Sequence, residues 1–297
     1  MTEDRGDASD GEASMSEVYE MEGGAVTEGR GVTVVCERIT HLYQAGDEQV
    51  VALRDVDLTI PAGSSIALLG PSGCGKSTLM SLLAGLQRPS TGRLFINDED
   101  VTGDPLAGRR LRATTVALLL QEPARALLPY ASPRLALENA GDRNPGPTLE
   151  SFALSEVADR PTRLLSAGQQ QRLALAIVMA RTPGLLLVDE PTSRLDPSER
   201  DVVITTLHTA ARRAGSTLVV VTHDPAVADT FERTLSMRDG RVGAEGRDGT
   251  QLAVVGADGS IALSGEALEM LPPGRFATVE ITAEGILLRP YHEDESP

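Results

Sequence analysis

The chain has 297 residues, of which 41% are hydrophobic and 24% are charged, and its net charge is −16. This composition is typical of a soluble globular protein, and no apolar run approaches the roughly 18–20 residues that a membrane span needs. The acidic balance argues against nucleic acid as the main partner, because binding to a phosphate backbone needs a basic surface.

The negative charge is concentrated at the two ends of the chain. Residues 1–30 contain nine acidic and two basic side chains, and residues 245–297 contain ten acidic and three basic ones. The first segment has almost no large apolar residue and no stretch typical of a secretory signal, so we expect a disordered acidic tail. The whole chain has only two cysteines, too few for a disulfide framework, which indicates a reducing cytosol.

Short apolar runs alternate with helical patterns in the middle of the chain. Several of these runs lack polar alternation, as expected for strands that are covered on both faces. Strands that alternate with helices predict an α/β domain over 31–244 with a mostly parallel sheet. A smaller antiparallel edge is expected at the start of this domain, before the parallel core. The expected strands lie at 32–35, 65–69, 94–97, 115–120, 185–188 and 218–221, and the expected helices at 76–86, 167–181 and 199–214.

Two segments depart from this pattern. Residues 141–147 read Gly-Asp-Arg-Asn-Pro-Gly-Pro, which predicts a helix-breaking loop. After Gly243 the composition shifts to a linker-like run, which we expect to lead into a small, mostly β extension over 245–297. Dimerisation, regulation and simple packing as a β-extension are all open roles for it. Its strand-like runs lie at 251–255, 261–263, 277–281 and 286–288, with a helical turn or two at 266–271.

A phosphate-binding motif stands between the expected strand at 65–69 and the helix that follows. Residues 70–78 match G-x-x-x-x-G-K-[ST] at every fixed position. Glycines let main-chain N–H groups curl around an anion, and the helix N-terminus adds the positive end of its dipole. The motif therefore predicts that a nucleoside triphosphate is bound by Gly70, Pro71, Ser72, Gly73, Cys74, Gly75, Lys76, Ser77 and Thr78.

Lys76 is the sole lysine of the chain, since the other 26 basic residues are arginine. Lysine carries a compact ammonium on a flexible stem, whereas arginine carries a planar fork. We therefore expect Lys76 to occupy a place where only an ammonium fits, reaching the β- and γ-phosphates, while the Ser77 hydroxyl binds Mg²⁺.

A pair of carboxylates follows the buried strand expected at 185–188. Asp189 and Glu190 lie at its carboxyl end, where ligands bind in open α/β sheets. We expect Asp189 to hold the Mg²⁺ shell, usually through water. Glu190 is then placed to polarise the attacking water as the general base.

Residues 165–172 read Leu-Ser-Ala-Gly-Gln-Gln-Gln-Arg and resemble the signature motif of ABC-transporter ATPases, usually Leu-Ser-Gly-Gly-Gln. With the phosphate motif and the carboxylate pair in order, the span from about Val32 to Gly243 is similar to an ABC ATP-binding subunit. The resemblance implies a P-loop NTPase core of α/β class, with an antiparallel β edge and a helical subdomain at about 122–180. It also implies an Mg²⁺-dependent ATPase that binds ATP and Mg²⁺.

The resemblance assigns roles to further residues. Tyr43 matches the aromatic side chain that stacks on adenine, and Gln121 matches the glutamine that senses Mg²⁺ and the transmembrane partner. Ser166 and Gly168 would bind the γ-phosphate across a dimer interface. The implied catalytic residues are Glu190, His223, Lys76 and Gln121. The implied nucleotide-binding residues are those of the phosphate loop together with Tyr43, Ser166, Gly168 and Gln169. The implied metal ligands are Ser77, Gln121 and Asp189.

The sequence departs from the family pattern at three places. Ala167 replaces the first glycine of the signature, and we expect the small methyl group to leave the site functional. Arg194 replaces a small residue in the segment that crosses the dimer interface, which could alter communication between the two sites. The stretch from Gln121 to Ser166 is also shorter than usual, so it leaves the identity of the docking partner open.

The run Thr40-His-Leu-Tyr, residues 50–60 and the run Gln121-Glu-Pro resemble the lipoprotein-release and macrolide-export group. This implies a homodimer or paired ATP-binding domains, a separate transmembrane permease, and a peripheral place on the cytoplasmic face of the cell membrane. We expect the transporter that this subunit energises to function in export, extraction or mechanotransmission. An importer ATPase, a non-transport ABC switch and a module that holds ATP without turnover are the alternatives.

Overall fold

The computed structural model describes residues 30–46, 48–104, 106–122, 126–193, 195–247, 250–253, 270–271, 277–282 and 285–290. The acidic tail predicted over 1–30 lies outside these ranges except for its last residue. Within them, no helix combines the length and the apolar character that crossing a bilayer requires.

The antiparallel edge expected near the start of the domain is confirmed as a sheet of its own. In the described residues its strand order is β2-β1-β4-β5, and every neighbouring pair is antiparallel. Val34 pairs with Ile60 on one side and with Ile96 on the other, so the run expected at 94–97 joins this sheet. The strands are β1 (Val34–Ala45), β2 (Glu48–Ile60), β4 (Thr91–Ile96) and β5 (Glu99–Asp100).

The main sheet carries the parallel strands that the apolar runs predict. Its order among the described strands is β11-β10-β9-β3-β8-β7-β6, and the pairs from β9 to β6 are all parallel. Every residue of β8 is buried, as the unbroken apolar run indicates. The strands are β3 (Ser65–Leu69), β6 (Val116–Leu119), β7 (Leu185–Asp189), β8 (Thr217–Thr222), β9 (Arg233–Arg238), β10 (Arg241–Arg247) and β11 (Thr250–Ala253).

Helices cover both faces of the main sheet. Successive residues of β7 enter different apolar clusters: Leu185 and Leu187 pack in the one that includes α1, and Leu186 and Val188 in the one that includes α5 and α6. This alternation follows from the two-residue period of a strand. The helices are α1 (Lys76–Leu83), α2 (Ala107–Thr114), α3 (Pro133–Asn139), α4 (Pro145–Ser151), α5 (Ala167–Met179), α6 (Pro197–Ala214) and α7 (Pro225–Ala228).

Two local expectations are wrong. The loop predicted over 141–147 ends early, because α4 begins at Pro145. Proline favours the first turn of a helix, where its missing N–H would have had no partner anyway. The linker predicted after Gly243 is instead strand, since β10 continues to Arg247 and pairs with both β9 and β11. Main-chain hydrogen bonds hold this strand in the sheet. Its side chains are small and polar, so the sequence has no apolar run there that would predict a strand.

The C-terminal extension is described in part. Strands β12 (Ala277–Thr282) and β13 (Gly285–Pro290) pair as an antiparallel hairpin, close to the runs predicted there. The run expected at 261–263 lies outside the described residues, as do residues 254–255 of the run expected at 251–255 and residues 266–269 of the helical turn expected at 266–271.

Leu187→Ala tests the packing of the main sheet. Leu187 is fully buried, so the substitution removes apolar contacts and leaves a cavity. We expect a loss of about 2–5 kcal/mol in the free energy of unfolding, measured by urea denaturation. The matched control Leu164→Ala changes a side chain that is 54% exposed, and it should shift stability by no more than about 0.5 kcal/mol. Equal losses in both variants would contradict this packing.

Candidate nucleotide-binding site

Parallel pairing brings the predicted site residues to one edge of the main sheet. Leu69 pairs with Thr222, and Asp189 pairs with Val221, so β3, β7 and β8 end level with one another. The phosphate motif therefore begins beside the ends of the two strands that carry the carboxylates and the histidine. This carboxyl edge is where doubly wound sheets bind ligands.

The phosphate loop follows β3 and ends where α1 begins. Gly75 caps the N-terminus of α1 with φ at 106°, a left-handed conformation that favours glycine. A Cβ added there would lie 2.5 Å from the Ala52 carbonyl oxygen, and one added to Gly70 would lie 2.3 Å from the Met237 carbonyl oxygen. Glycine is thus required at both positions, because main chain from two other strands presses on the loop.

Lys76 folds back over this loop. Its side chain is only 7% exposed, and its ammonium donates hydrogen bonds to the carbonyl oxygens of Gly70 at 2.7 Å and Pro71 at 2.9 Å. The ammonium also lies 3.8 Å from the Cys74 sulfur. These partners keep a desolvated cation satisfied, and phosphate oxygens can replace the carbonyls when an anion enters the loop.

Glu190 and His223 lie in direct contact. The Glu190 Oε1 atom is 2.8 Å from the His223 Nδ1 atom, and the Glu190 main-chain N–H donates to the carbonyl oxygen of Val221. Glu190 has φ at 50°, a left-handed value that an acidic side chain seldom adopts. Strain of this kind concentrates at functional sites, and here it orients a carboxylate that is 13% exposed.

Asp189 immediately precedes Glu190 and is half-buried at the end of β7. Burial raises its pKa above the usual value, the Glu190 charge adds to the rise, and the Lys76 ammonium opposes it. A divalent cation would relieve this repulsion, and the exposed Ser77 hydroxyl at the start of α1 offers a second oxygen. The donor set of oxygens is the one Mg²⁺ prefers, so the residues present fit this ion.

Tyr43 lies alongside α1, near its first turn. Its hydroxyl donates to the Gln87 Oε1 atom at 2.8 Å and is 3.4 Å from the Thr78 hydroxyl, next to the phosphate loop. The ring meets the His41 ring edge-on at 4.8 Å and is 37% exposed. An exposed aromatic beside the loop suits stacking on a base. Sequence reasoning missed Gln87, because nothing in its local pattern marks it as a partner of Tyr43.

The signature residues form the start of α5. Ser166 caps this helix: its hydroxyl oxygen accepts from the Gln169 N–H, and its own N–H donates to the Gln169 side chain. None of the hydrogen bonds of these two residues reaches the phosphate loop within the described part of the chain. The Ser166 hydroxyl donates instead to Glu199. No sequence pattern marks this contact, since a glutamate in a first helical turn is ordinary.

The remaining predicted residues sit around this core. Gln121 is exposed and follows β6, whose Leu119 pairs with Val188 of β7, so it lies at the same sheet edge. Ala167 is the exposed first residue of α5. Arg194 lies outside the described residues.

A strand, a glycine loop and a helix N-terminus that suit a phosphate group, with an acidic pair and a histidine at the same sheet edge, are typical of a P-loop nucleoside triphosphatase. The family model described as "ABC transporter" matches residues 53–193. The lipoprotein-releasing system ATP-binding protein LolD of Anaeromyxobacter dehalogenans is 39% identical over 229 residues, which cover 72% of this chain and 94% of that protein. The chain therefore belongs to the ABC transporter family of ATP-binding proteins, in its lipoprotein-release and macrolide-export-like group, and is an ATPase.

Two further comparisons widen this result. The methionine import ATP-binding protein MetN of Rhodopseudomonas palustris is 32% identical over 277 residues, covering 85% of this chain and 74% of that protein. A solved structure, the dimeric post-hydrolysis state of the ATP-binding cassette MJ0796 bound to ADP and Pi, aligns with a TM-score of 0.63 and 30% identity. It covers 72% of this chain and 98% of that one. The predicted family and fold class are confirmed.

Gly75→Ala tests the loop geometry. The new methyl group would meet the Ala52 carbonyl oxygen in a left-handed conformation, so the loop must open and lose its aligned N–H groups. We expect ATP affinity to fall at least about tenfold, which corresponds to about 1.4 kcal/mol, in isothermal titration calorimetry. Gly103→Ala is the matched control, because a Cβ there meets nothing within 4 Å. Wild-type affinity in the Gly75→Ala chain would contradict the loop geometry.

Proposed function

We propose that this chain binds and hydrolyses ATP as a dimer and drives a separate membrane permease. The observation that carries the proposal is the meeting of the phosphate loop, Asp189 and the hydrogen-bonded pair of Glu190 and His223 at one sheet edge. An ATPase needs a phosphate clamp, a base and a group at the γ-phosphate in one place, and the residues at this edge suit these three roles.

In the proposed reaction the loop N–H groups and the Lys76 ammonium bind the β- and γ-phosphates. Glu190 accepts a proton from a water molecule as the water oxygen bonds to the γ-phosphorus and the bond to ADP breaks. The His223 Nδ1 atom, 2.8 Å from the Glu190 Oε1 atom, orients that carboxylate. The exposed side of the His223 ring remains free to approach the γ-phosphate, and the exposed Tyr43 ring stacks on the adenine.

We propose Mg²⁺ as the companion of the triphosphate, held by the Ser77 hydroxyl and, through water, by Asp189, with Gln121 sensing it. Bound there, Mg²⁺ neutralises charge on the phosphate oxygens. The raised pKa of Asp189 supports this assignment, because a half-buried carboxylate beside a second carboxylate gains from a nearby cation.

The dimer is supported by the position of the signature residues. Ser166, Gly168 and Gln169 present a hydroxyl and the N-terminus of α5, groups that suit an anion. They bond within their own chain away from its phosphate loop, so we propose that they serve the γ-phosphate of a second copy. The cassette MJ0796, a similar protein, is dimeric in a post-hydrolysis state with bound ADP and Pi.

Export or extraction from the membrane is the direction we propose, on the cytoplasmic face where ATP is available. The similarity to the lipoprotein-releasing protein LolD supports it. Import is the second candidate, because the methionine importer MetN aligns over a larger share of this chain, 85%. The permease itself determines the transported substrate.

Glu190→Gln tests the role of the base. The amide keeps the size of the side chain but cannot take a proton from water, so ATP binding should persist while the turnover number falls about 10²–10⁴-fold. We expect the variant to accumulate as an ATP-bound dimer, detected by size-exclusion chromatography with light scattering. Glu156→Gln, an exposed glutamate in the helical subdomain, should behave like the unmodified protein. Unchanged turnover in the Glu190→Gln chain would refute this role.

A further inference from the structure

A carboxylate of the same chain, that of Glu199, already contacts the signature residues. The Ser166 hydroxyl donates to the Glu199 Oε1 atom at 2.7 Å. A Cβ added to Gly168 would lie 2.9 Å from the Glu199 carboxyl carbon and 3.0 Å from its Oε1 atom. The carboxylate therefore lies directly over the first turn of α5, on the groups that we propose for the partner's γ-phosphate.

The first turn of α6 fixes the main chain that carries this carboxylate. The Asp196 side chain caps the helix and accepts the Glu199 N–H at 2.9 Å. The next residue, Arg200, pairs with the Asp224 carboxylate at 3.3 Å, which ties the same turn to the loop that follows His223. The main chain of Glu199 is thus fixed by its neighbours along the chain, while its carboxylate is held by the Ser166 hydroxyl.

A buried cation also favours the position of Glu199. Burial lowers the pKa of Arg172, and the Glu199 charge opposes that fall. The Arg172 guanidinium donates to the Phe152 carbonyl oxygen at 3.0 Å, so the cation cannot move out to meet solvent without losing that bond. The carboxylate is consequently attracted by the Arg172 charge and held by the Ser166 hydroxyl.

A carboxylate and a terminal phosphate accept hydrogen bonds from the same donors. Both are anions that accept from a serine hydroxyl and are favoured at a helix N-terminus. They cannot share the Ser166 hydroxyl proton, and two negative charges in contact repel each other. The contact of Glu199 with Ser166 therefore has to be broken before a γ-phosphate can bind there.

We propose that Glu199 is a further residue of the composite ATP site and sets the ATP concentration at which two copies close. Its carboxylate takes the place of the γ-phosphate on the signature of the free chain and leaves when the nucleotide of the second copy arrives. The inference rests on the proposed ATP-dependent dimer. It adds to that dimer a charge, built into α6, that opposes closure at low ATP.

The test uses the full chain carrying Glu190→Gln, which is expected to dimerise with ATP without turnover. Adding Glu199→Gln keeps the size and the hydrogen-bond acceptor beside Ser166 but removes the charge. We expect the ATP concentration for half-maximal dimerisation to fall about tenfold, measured by sedimentation velocity across an ATP series. Glu150→Gln, an exposed glutamate on α4, is the matched control and should leave that concentration unchanged.

The outcomes separate the two proposals. If Glu199 only stabilised its helix, Glu199→Gln would lower the melting temperature and raise the ATP concentration needed, or leave it unchanged; either result overturns the inference while the ATP dimer stands. If the Glu190→Gln chain stays monomeric at every ATP concentration, the proposed dimer fails and the role of Glu199 fails with it. A fall with Glu199→Gln and none with Glu150→Gln supports the role.

Discussion

Main-chain contact around Gly75 is the constraint on which the nucleotide site depends. The Ala52 oxygen, from β2 of the antiparallel sheet, presses on Gly75, and the Met237 oxygen, from β9 of the main sheet, presses on Gly70. The phosphate loop is therefore held between two sheets, and neither sheet alone fixes its shape. This contact explains why the antiparallel edge, whose one predicted site residue is Tyr43, is part of the site.

The parallel sheet supplies the rest of the site by alignment. Since β3, β7 and β8 end at one level, residues far apart in the chain reach each other, and Glu190 contacts His223 without any insertion or long loop. The signature at Ser166 is outside this group and bonds to Glu199 instead. Each chain thus holds the groups that we propose for one nucleotide at this sheet edge and, on α5, the donors that we propose for another.

Much of the fold follows from features that are local in the sequence. Unbroken apolar runs identify β7 and β8, and the motif around Lys76 identifies the loop, because both require only residue type and order. Other features depend on distant partners. Strand β10 is held by main-chain pairing with β9, so its side chains carry no apolar pattern. The contact between Ser166 and Glu199 joins two helix starts that sequence spacing alone does not bring together.

Binding of ATP to Lys76→Ala protein tests the account most directly. The buried Lys76 ammonium bonds to the Gly70 and Pro71 oxygens, and we propose that it leaves them for the phosphates. Its loss should therefore raise the dissociation constant for ATP by about tenfold or more. Titration calorimetry measures that constant, with the exposed cation variant Arg143→Ala as the matched control. Unchanged affinity in folded Lys76→Ala protein would contradict the account.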